Sequence, residues 1–165
     1  MRQETPPSGI ICRVSVFVPP EFLVPLGLET ASFRLEPLGP EHNDSDYEAW
    51  SSSRAHIHAT PGWEKSTWPD ERTLEDNLRD LQRHAGDFQA RTGFTFTVLE
   101  PSTDSVVGCV YIYPDSSGAA EASVQSWVRA DRAELDVDLW RAVSVWLATD
   151  WPFERVAYAP REATD

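Results

Sequence analysis

Apolar and polar residues alternate over 94–98, where Phe94, Phe96 and Val98 are separated by Thr95 and Thr97. A period of two is the signature of a half-buried strand. Pro101, Ser102, Thr103, Asp104 and Ser105 follow as turn chemistry. The next run, 106–113, is apolar on both faces and predicts a central strand covered on both sides. Gly108 inside that run marks a bulge or a close backbone approach. Together the two runs predict a hairpin around which the chain is organised.

Other patterns extend on either side. Residues 32–38 alternate and predict a strand, which Gly39-Pro40 turns into a helical stretch over 40–53 with Tyr47 and Trp50 on its apolar side. Residues 55–70 are irregular or short-helical, broken by Pro61-Gly62 and Pro69. The clearest helix is 73–91. Leu74, Leu78, Leu81, Ala85 and Phe88 recur at helical spacing, Thr73 is a natural N-cap and Gly93 a natural stop. Leu78, Leu81 and Phe88 are expected to face the sheet. Residues 122–129 form another strand. Asp131 and Glu134 then have capping-box spacing ahead of a helix over 133–150, whose buried stripe is Leu135, Leu139, Val143, Trp146 and Leu147. A last strand, 155–159, should run parallel to 122–129, because the helix between them is a crossover.

The first 27 residues are Pro-rich, with an extended stretch over 10–18 that either adds an edge strand or hangs as a tail. Residues 28–165 form one domain. Seven Trp and 41% hydrophobic residues fit a globular chain. The balance of 27 acidic against 14 basic side chains, net −13, excludes nucleic acid and anionic membrane as partners, since both demand a basic surface. No window approaches the ~20 apolar residues of a membrane-spanning helix. Cys12 and Cys109 are too few for a disulfide framework. A cytoplasmic location is expected.

The order of elements resembles the Gcn5-related N-acetyltransferase fold, in particular its ribosomal-protein alanine acetyltransferase branch. The opening stretch 28–38 is similar to that branch's first strand. Residues 73–91 sit where the family has its long helix. The run 106–112, with Val107-Gly108, is similar to its third strand, and Ser126, Trp127, Val128 and Arg129 to its fourth. The resemblance implies an α/β (α+β) fold: a mixed, mainly antiparallel twisted sheet with helices on both faces, here truncated at its C-terminal end. It implies an N-acetyltransferase using acetyl-CoA, with a small-molecule or peptide amine as acceptor.

Two departures qualify this. The family's turn after the fourth strand carries a Q/R-x-x-G-x-G/A motif, whose backbone N–H groups hold the cofactor pyrophosphate. Here Arg129 stands at the first position, but the stretch 129–136 has no glycine and holds Asp131 and Glu134. Those carboxylates are expected to cap the helix and occupy the donors. The cofactor positions carried over are therefore Val128, Arg129 and Arg132, in an altered site that holds acetyl-CoA weakly or not at all. The second departure is the missing final helix and hairpin, so no catalytic acid or base is assigned. The alternative is a non-catalytic domain of the same fold that binds a small molecule or a protein partner. The open sheet edge at 155–159 should be covered by 10–18 or by a second subunit, giving a homodimer.

Tyr111, Tyr113 and Trp127 are the substrate candidates, with Trp140 beside them. The first two share a strand face with Cys109, and Trp127 lies on the neighbouring strand; core packing under a helix is the plainer reading. Arg129 also reads as a surface ion pair with Asp131 or Glu134. His56 and His58 would face one way in an extended segment, as metal ligands must, yet no third ligand is evident and no metal is expected. His84 and Asp80, four apart on the long helix, read as a solvated pair.

Overall fold

The alternating run at 94–98 becomes the third strand of a six-stranded sheet in a computed structural model that describes residues 16–162. The strands are β1 (Leu28–Glu29), β2 (Arg34–Pro37), β3 (Phe94–Leu99), β4 (Val106–Pro114), β5 (Ala122–Val128) and β6 (Val156–Tyr158), side by side in chain order. All neighbours are antiparallel except β5 and β6, which run parallel. Between β2 and β3 come α1 (Asn43–Ser51), α2 (Arg54–Ala59) and α3 (Leu74–Ala90), and α4 (Leu135–Asp150) is the crossover from β5 to β6. No helix among the described residues is long and apolar enough to cross a membrane.

Strand parity divides the core in two. Phe94, Phe96 and Val98 of β3, with Val110 and Ile112 of β4, face Leu139, Val143, Trp146 and Leu147 of α4. On the opposite face Cys109 and Trp127 meet Trp50 of α1, Ile57 of α2 and Leu81 of α3. Each fully buried Trp contributes about 4–6 kcal/mol of transfer free energy, an upper bound. The register of β3 on β4 shifts between Val98 and Leu99. Gly108 sits at that shift, and a Cβ there would collide with the Trp127 carbonyl of β5.

Several local expectations change. The stretch 40–53 divides into a short 3-10 turn, Pro40–His42, and α1. On α3 the fully buried positions are Leu81 and Asn77, while Leu78 and Phe88 are half-buried and Leu74 is exposed. Thr73 and Asp76 close a reciprocal capping box at its start. At its end the stop is Arg91, not Gly93. Arg91 takes the left-handed conformation, with φ of 61°, and its N–H bonds the Asp87 and Phe88 carbonyls. Gly93 lies under the Tyr113 ring, which leaves no room for a Cβ.

The capping box expected at Asp131 and Glu134 does not form. A 3-10 turn at Ala130–Arg132 intervenes, and α4 begins at Leu135 without a side-chain cap bond. The physical reason is competition: Arg129, two residues back, takes both Asp131 oxygens. Of the stretch 10–18, residues 10–15 lie outside the described residues. Phe17 stacks on Phe94 and Phe153, at 5.8 and 5.1 Å between ring centroids. Arg91 Nη2 fastens this segment by donating to the carbonyls of Pro19 and Phe22. The segment therefore lies on the α4 side of the core, and among the described residues no strand pairs with the outer side of β6.

Candidate functional site

A cavity of about 210 Å³ opens between α1, α3 and β4, and its walls include Asp46, Trp63, Trp68, Asp80, His84 and Tyr111. Sequence places these groups together through one helical face. Asp46 and Trp50 are one turn apart on α1, so the burial that draws Trp50 inward draws Asp46 with it. Asn77 of α3 makes this tolerable. It accepts from Trp50 Nε1 at 3.0 Å and donates to Asp46 Oδ2 at 3.0 Å and to Asn43 Oδ1 at 2.9 Å. Asp46 is 4% exposed. Burial pushes its carboxyl up from the ordinary 3.8 to about 6, with Asp80 adding to the rise, while Asn77 and His42 pull it down.

One wall is aromatic. Trp68 lies 5.6 Å from Trp50, 5.3 Å from Trp63 and 6.0 Å from Trp127, and Trp63 lies 5.6 Å from Tyr111. Trp127 Nε1 donates to Tyr111 Oη at 3.1 Å. Burial raises the Tyr111 hydroxyl well above its usual range, so it stays neutral. The other wall is polar: Arg72 bonds Asp80 at 2.8 Å.

His84 lies where these walls meet. Its Nδ1 is 2.7 Å from Tyr113 Oη and 3.0 Å from Thr95 Oγ1. Tyr113 Oη donates onward to Asp87 Oδ2 at 2.8 Å. A proton on Nδ1 therefore completes a chain from His84 through Tyr113 to Asp87. Burial, then the neighbouring Arg83, hold the imidazole down to about 4, so it is neutral at pH 7. The expected solvated His84–Asp80 pair gives way to this chain, because residue 84 faces the sheet. The chain explains why Tyr113, also pushed up by burial to about 12, stands on the cavity side of β4.

The second feature is the split between β5 and β6. Their pairing ends at Val124 and Tyr158, so among the described residues the rest of β5 has no strand on that side. Crevices outside the carboxyl ends of parallel strands are common ligand sites, because backbone groups there lack ladder partners. Here the Ser126 carbonyl is taken twice, by Trp63 Nε1 at 2.9 Å and by Arg161 Nη2 at 3.0 Å. Beyond it, Arg129 Nε and Nη2 hold Asp131 at 3.0 and 3.2 Å. Arg132 reaches Glu100 at 3.4 Å and Asp131 at 3.8 Å.

The sequence candidates thus fall into two places. Of Tyr111, Tyr113 and Trp127, only Tyr111 lines the α1–α3–β4 cavity; Trp127 is fully buried behind it, bonded to Tyr111 Oη, and Tyr113 stands behind His84. Arg129 and Arg132 stand together at the turn, each tied to a carboxylate. Val128 is fully buried in the α4-side core. Trp140 lines a separate groove between α4 and β6 with Phe153 and Tyr158. His56 and His58 lie on α2, not on an extended segment, so a two-residue spacing turns them apart. His58 Nε2 bonds the Pro69 carbonyl. Among the described residues no group of three His, Cys, Asp or Glu is placed to hold a metal. Sequence reasoning missed Asp46, Asn77, Trp63, Trp68 and Arg161. Only Asp46 carried a signal, its one-turn spacing from Trp50.

No family profile matches this chain, and no curated protein matches it in sequence. Solved structures match it in fold. The ribosomal-protein-S5-alanine acetyltransferase of Vibrio fischeri aligns over 81% of this chain and 73% of its own, with a TM-score of 0.62 at 13% identity. The RimL ribosomal L7/L12 α-N-protein acetyltransferase aligns over 81% and 68%, with a TM-score of 0.59 at 11% identity. The microcin C7 self-immunity acetyltransferase MccE, solved with acetyl-CoA and AMP, aligns over 76% and 67%, with a TM-score of 0.56 at 12% identity. At such identities the likeness is one of fold. This chain has the fold of the Gcn5-related N-acetyltransferases.

Proposed function

We propose that this chain is a ligand-binding protein of acetyltransferase fold, and that a small-molecule amine or the amine end of a peptide enters the α1–α3–β4 cavity. One observation carries the reading. Asp46 is buried beside an aromatic wall, with the single amide donor of Asn77 on its carboxylate among the described residues. Above about pH 6 that carboxylate is ionised. A buried charge lacking a counter-ion is costly, and a cationic ligand offsets that cost. The faces of Trp63, Trp68 and Tyr111 attract the same charge. The volume, about seven waters' share of liquid, suits a small ligand or a chain end.

Acetyl-CoA does not fit the chain in this arrangement. The Ser126 carbonyl is doubly occupied, Arg129 is spent on Asp131, and no glycine opens the turn. An acyl-CoA-dependent N-acetyltransferase with a weakened cofactor site is the second reading, favoured by one feature. The first N–H groups of α4 have no side-chain acceptor among the described residues, so these donors remain open even though the first-turn carboxylates of Asp136 and Asp138 oppose an anion there.

Two titrations test these readings. Phenethylamine should quench the cavity tryptophans, and its neutral isostere phenethyl alcohol should bind about tenfold more weakly or worse, a difference of ~1.4 kcal/mol. Asp46→Asn should erase that preference. Equal binding of amine and alcohol to the unaltered protein would overturn the amine reading. Acetyl-CoA is expected to bind more weakly than about 100 μM, which corresponds to ~5.5 kcal/mol. A low-micromolar constant, with acetylated amine as product, would establish the enzyme instead.

A further inference from the structure

The side chain that closes the split comes from beyond the last strand. Arg161 follows β6, and its side chain is 2% exposed. All three guanidinium nitrogens have acceptors, from three parts of the fold. Nε donates to Asp136 Oδ2 at 2.8 Å on the first turn of α4. Nη1 donates to the Ala159 carbonyl at 2.7 Å, and Nη2 to the Ser126 carbonyl at 3.0 Å on β5. The guanidinium also stands 5.7 Å from the Tyr158 ring centroid, and Tyr158 Oη bonds the Ser126 hydroxyl. Asp136 gives only one oxygen to this clasp; its Oδ1 is buried without a partner among the described residues.

We propose that Arg161 is a built-in occupant of the β5–β6 split, a clasp that keeps an extended acyl-CoA-type ligand off Ser126. The inference deepens the weak-cofactor part of the function proposed above and does not depend on the amine cavity. The physical basis is competition for one acceptor. A chain lying along the unpaired side of β5 must bond the same carbonyl, as an added strand would, and Arg161 and Trp63 already fill it. Asp136 completes the exclusion by setting a carboxylate at the α4 N-terminus, where a phosphate would otherwise gain from the helix dipole. Burial of the ion pair sustains the clasp, since removing either partner strands the other charge.

The clasp predicts an effect opposite in sign to that of an ordinary phosphate-binding arginine. Deleting a cation by itself weakens an anionic ligand. Deleting Arg161 together with the Asp136 charge should instead strengthen acetyl-CoA binding, because it opens the split. Calorimetric titration of the full chain with acetyl-CoA at moderate salt reads this directly, on the unaltered protein and on Arg161→Ala/Asp136→Asn. The expected result is a gain of about tenfold or more, ~1.4 kcal/mol. Loss of affinity, or no change in a variant whose circular dichroism and melting remain cooperative, overturns the proposal.

Arg161→Lys keeps the charge and most of the packing, and it serves if the double variant does not fold. Its single point charge cannot reach three acceptors in a fixed fork. Amide exchange over 125–129 and 156–162 should rise in Arg161→Lys while exchange in β3 and β4 does not. Unchanged exchange in those two segments would also overturn the clasp. Phenethylamine quenching should be the same in all these proteins, so the amine cavity and the clasp fail or stand separately.

Discussion

Replacing Asp46 by Asn should change the slope of stability against pH, and the direction follows from two groups in one cavity. Asp46 has its folded-state pKa raised from 3.8 to about 6. Below both values it is protonated in either state and has no effect. As pH rises from about 4 to 6, the unfolded chain releases its proton and the native state resists, so stability falls. The fall is about 3 kcal/mol at most, at 1.36 kcal/mol per pH unit. His84 has its folded-state pKa lowered from 6.5 to about 4. Over the window from about 4 to 6.5 the unfolded chain binds the proton and the native state does not, so stability rises with pH. Its ceiling is similar, about 3 kcal/mol, and partial exposure reduces it to about 2.

The two slopes oppose each other over nearly the same window, so the unaltered protein should show little net contribution from this cavity between pH 4 and 6.5. Asp46→Asn removes the falling slope and leaves the rising one. The Asn77 donor still finds an oxygen, so geometry is preserved. Relative to the unaltered protein, the variant should gain about 1–3 kcal/mol on going from pH 4 to 6.5. His84→Asn keeps a donor near the Nδ1 position toward Tyr113 and should shift the other way, losing ground as pH rises. Urea unfolding of the three proteins at half-unit pH steps measures this, and the surface carboxylates common to all three cancel in the differences. Parallel pH profiles for the unaltered protein and Asp46→Asn would refute the argument, because they would mean that Asp46 titrates as it does in water.

Leu81→Ala removes the fully buried apolar side chain that α3 sends to the cavity-side core, and should cost about 2–5 kcal/mol in denaturant unfolding. A loss below about 0.5 kcal/mol would mean that the α3 face is wrongly assigned. Gly108→Ala should destabilise by about 1–3 kcal/mol or displace β5, since its Cβ meets a backbone carbonyl that no rotamer can move; a neutral melting shift would contradict the close approach of β4 and β5.

The hairpin, the crossover helix and the parallel last strand were legible because each rests on a local period. Alternation locates β3, although Thr95 and Thr97 are buried as well and the strand is covered on both faces rather than half-buried. The double-sided apolar run fixes β4, and the stripe Leu139, Val143, Trp146 and Leu147 fixes the buried side of α4. The turn before α4 was not legible. Asp131 has good capping geometry on paper, but Arg129 offers it two charged hydrogen bonds, which outweigh one backbone donor. The face of α3 was half legible. Its apolar spacing pointed inward correctly at Leu81, yet Asn77 takes the adjoining buried place because Trp50, Asp46 and Asn43, 27 to 34 residues away, complete its hydrogen bonds.

That last case explains why the candidate site hid in the sequence while the fold did not. A strand pattern reports only that a face is buried, and both faces of β4 are buried to nearly the same degree. What distinguishes them is the partner each face meets. Away from the register shift at Gly108, before which Val107 joins the α4 side and Val106 the other, the even positions of β3 and β4 meet α4, which brings aliphatic side chains and Trp146 and makes a dry core. The odd positions meet α1, α3 and the loop carrying Trp63 and Trp68, and these bring Asp46, Asn77, Asp80 and His84. Buried polar groups persist only where partners or a ligand satisfy them. Asn77 and Arg72 supply partners on two sides, and Asp46 retains an unmatched charge on the third. The split between β5 and β6 shows the opposite outcome, since there Arg161 and Trp63 have already met the open backbone group. Asp136 in the split is already paired with Arg161, even though its Oδ1 has no partner among the described residues, whereas Asp46 in the cavity has no cationic partner among them, and that difference favours an amine at Asp46.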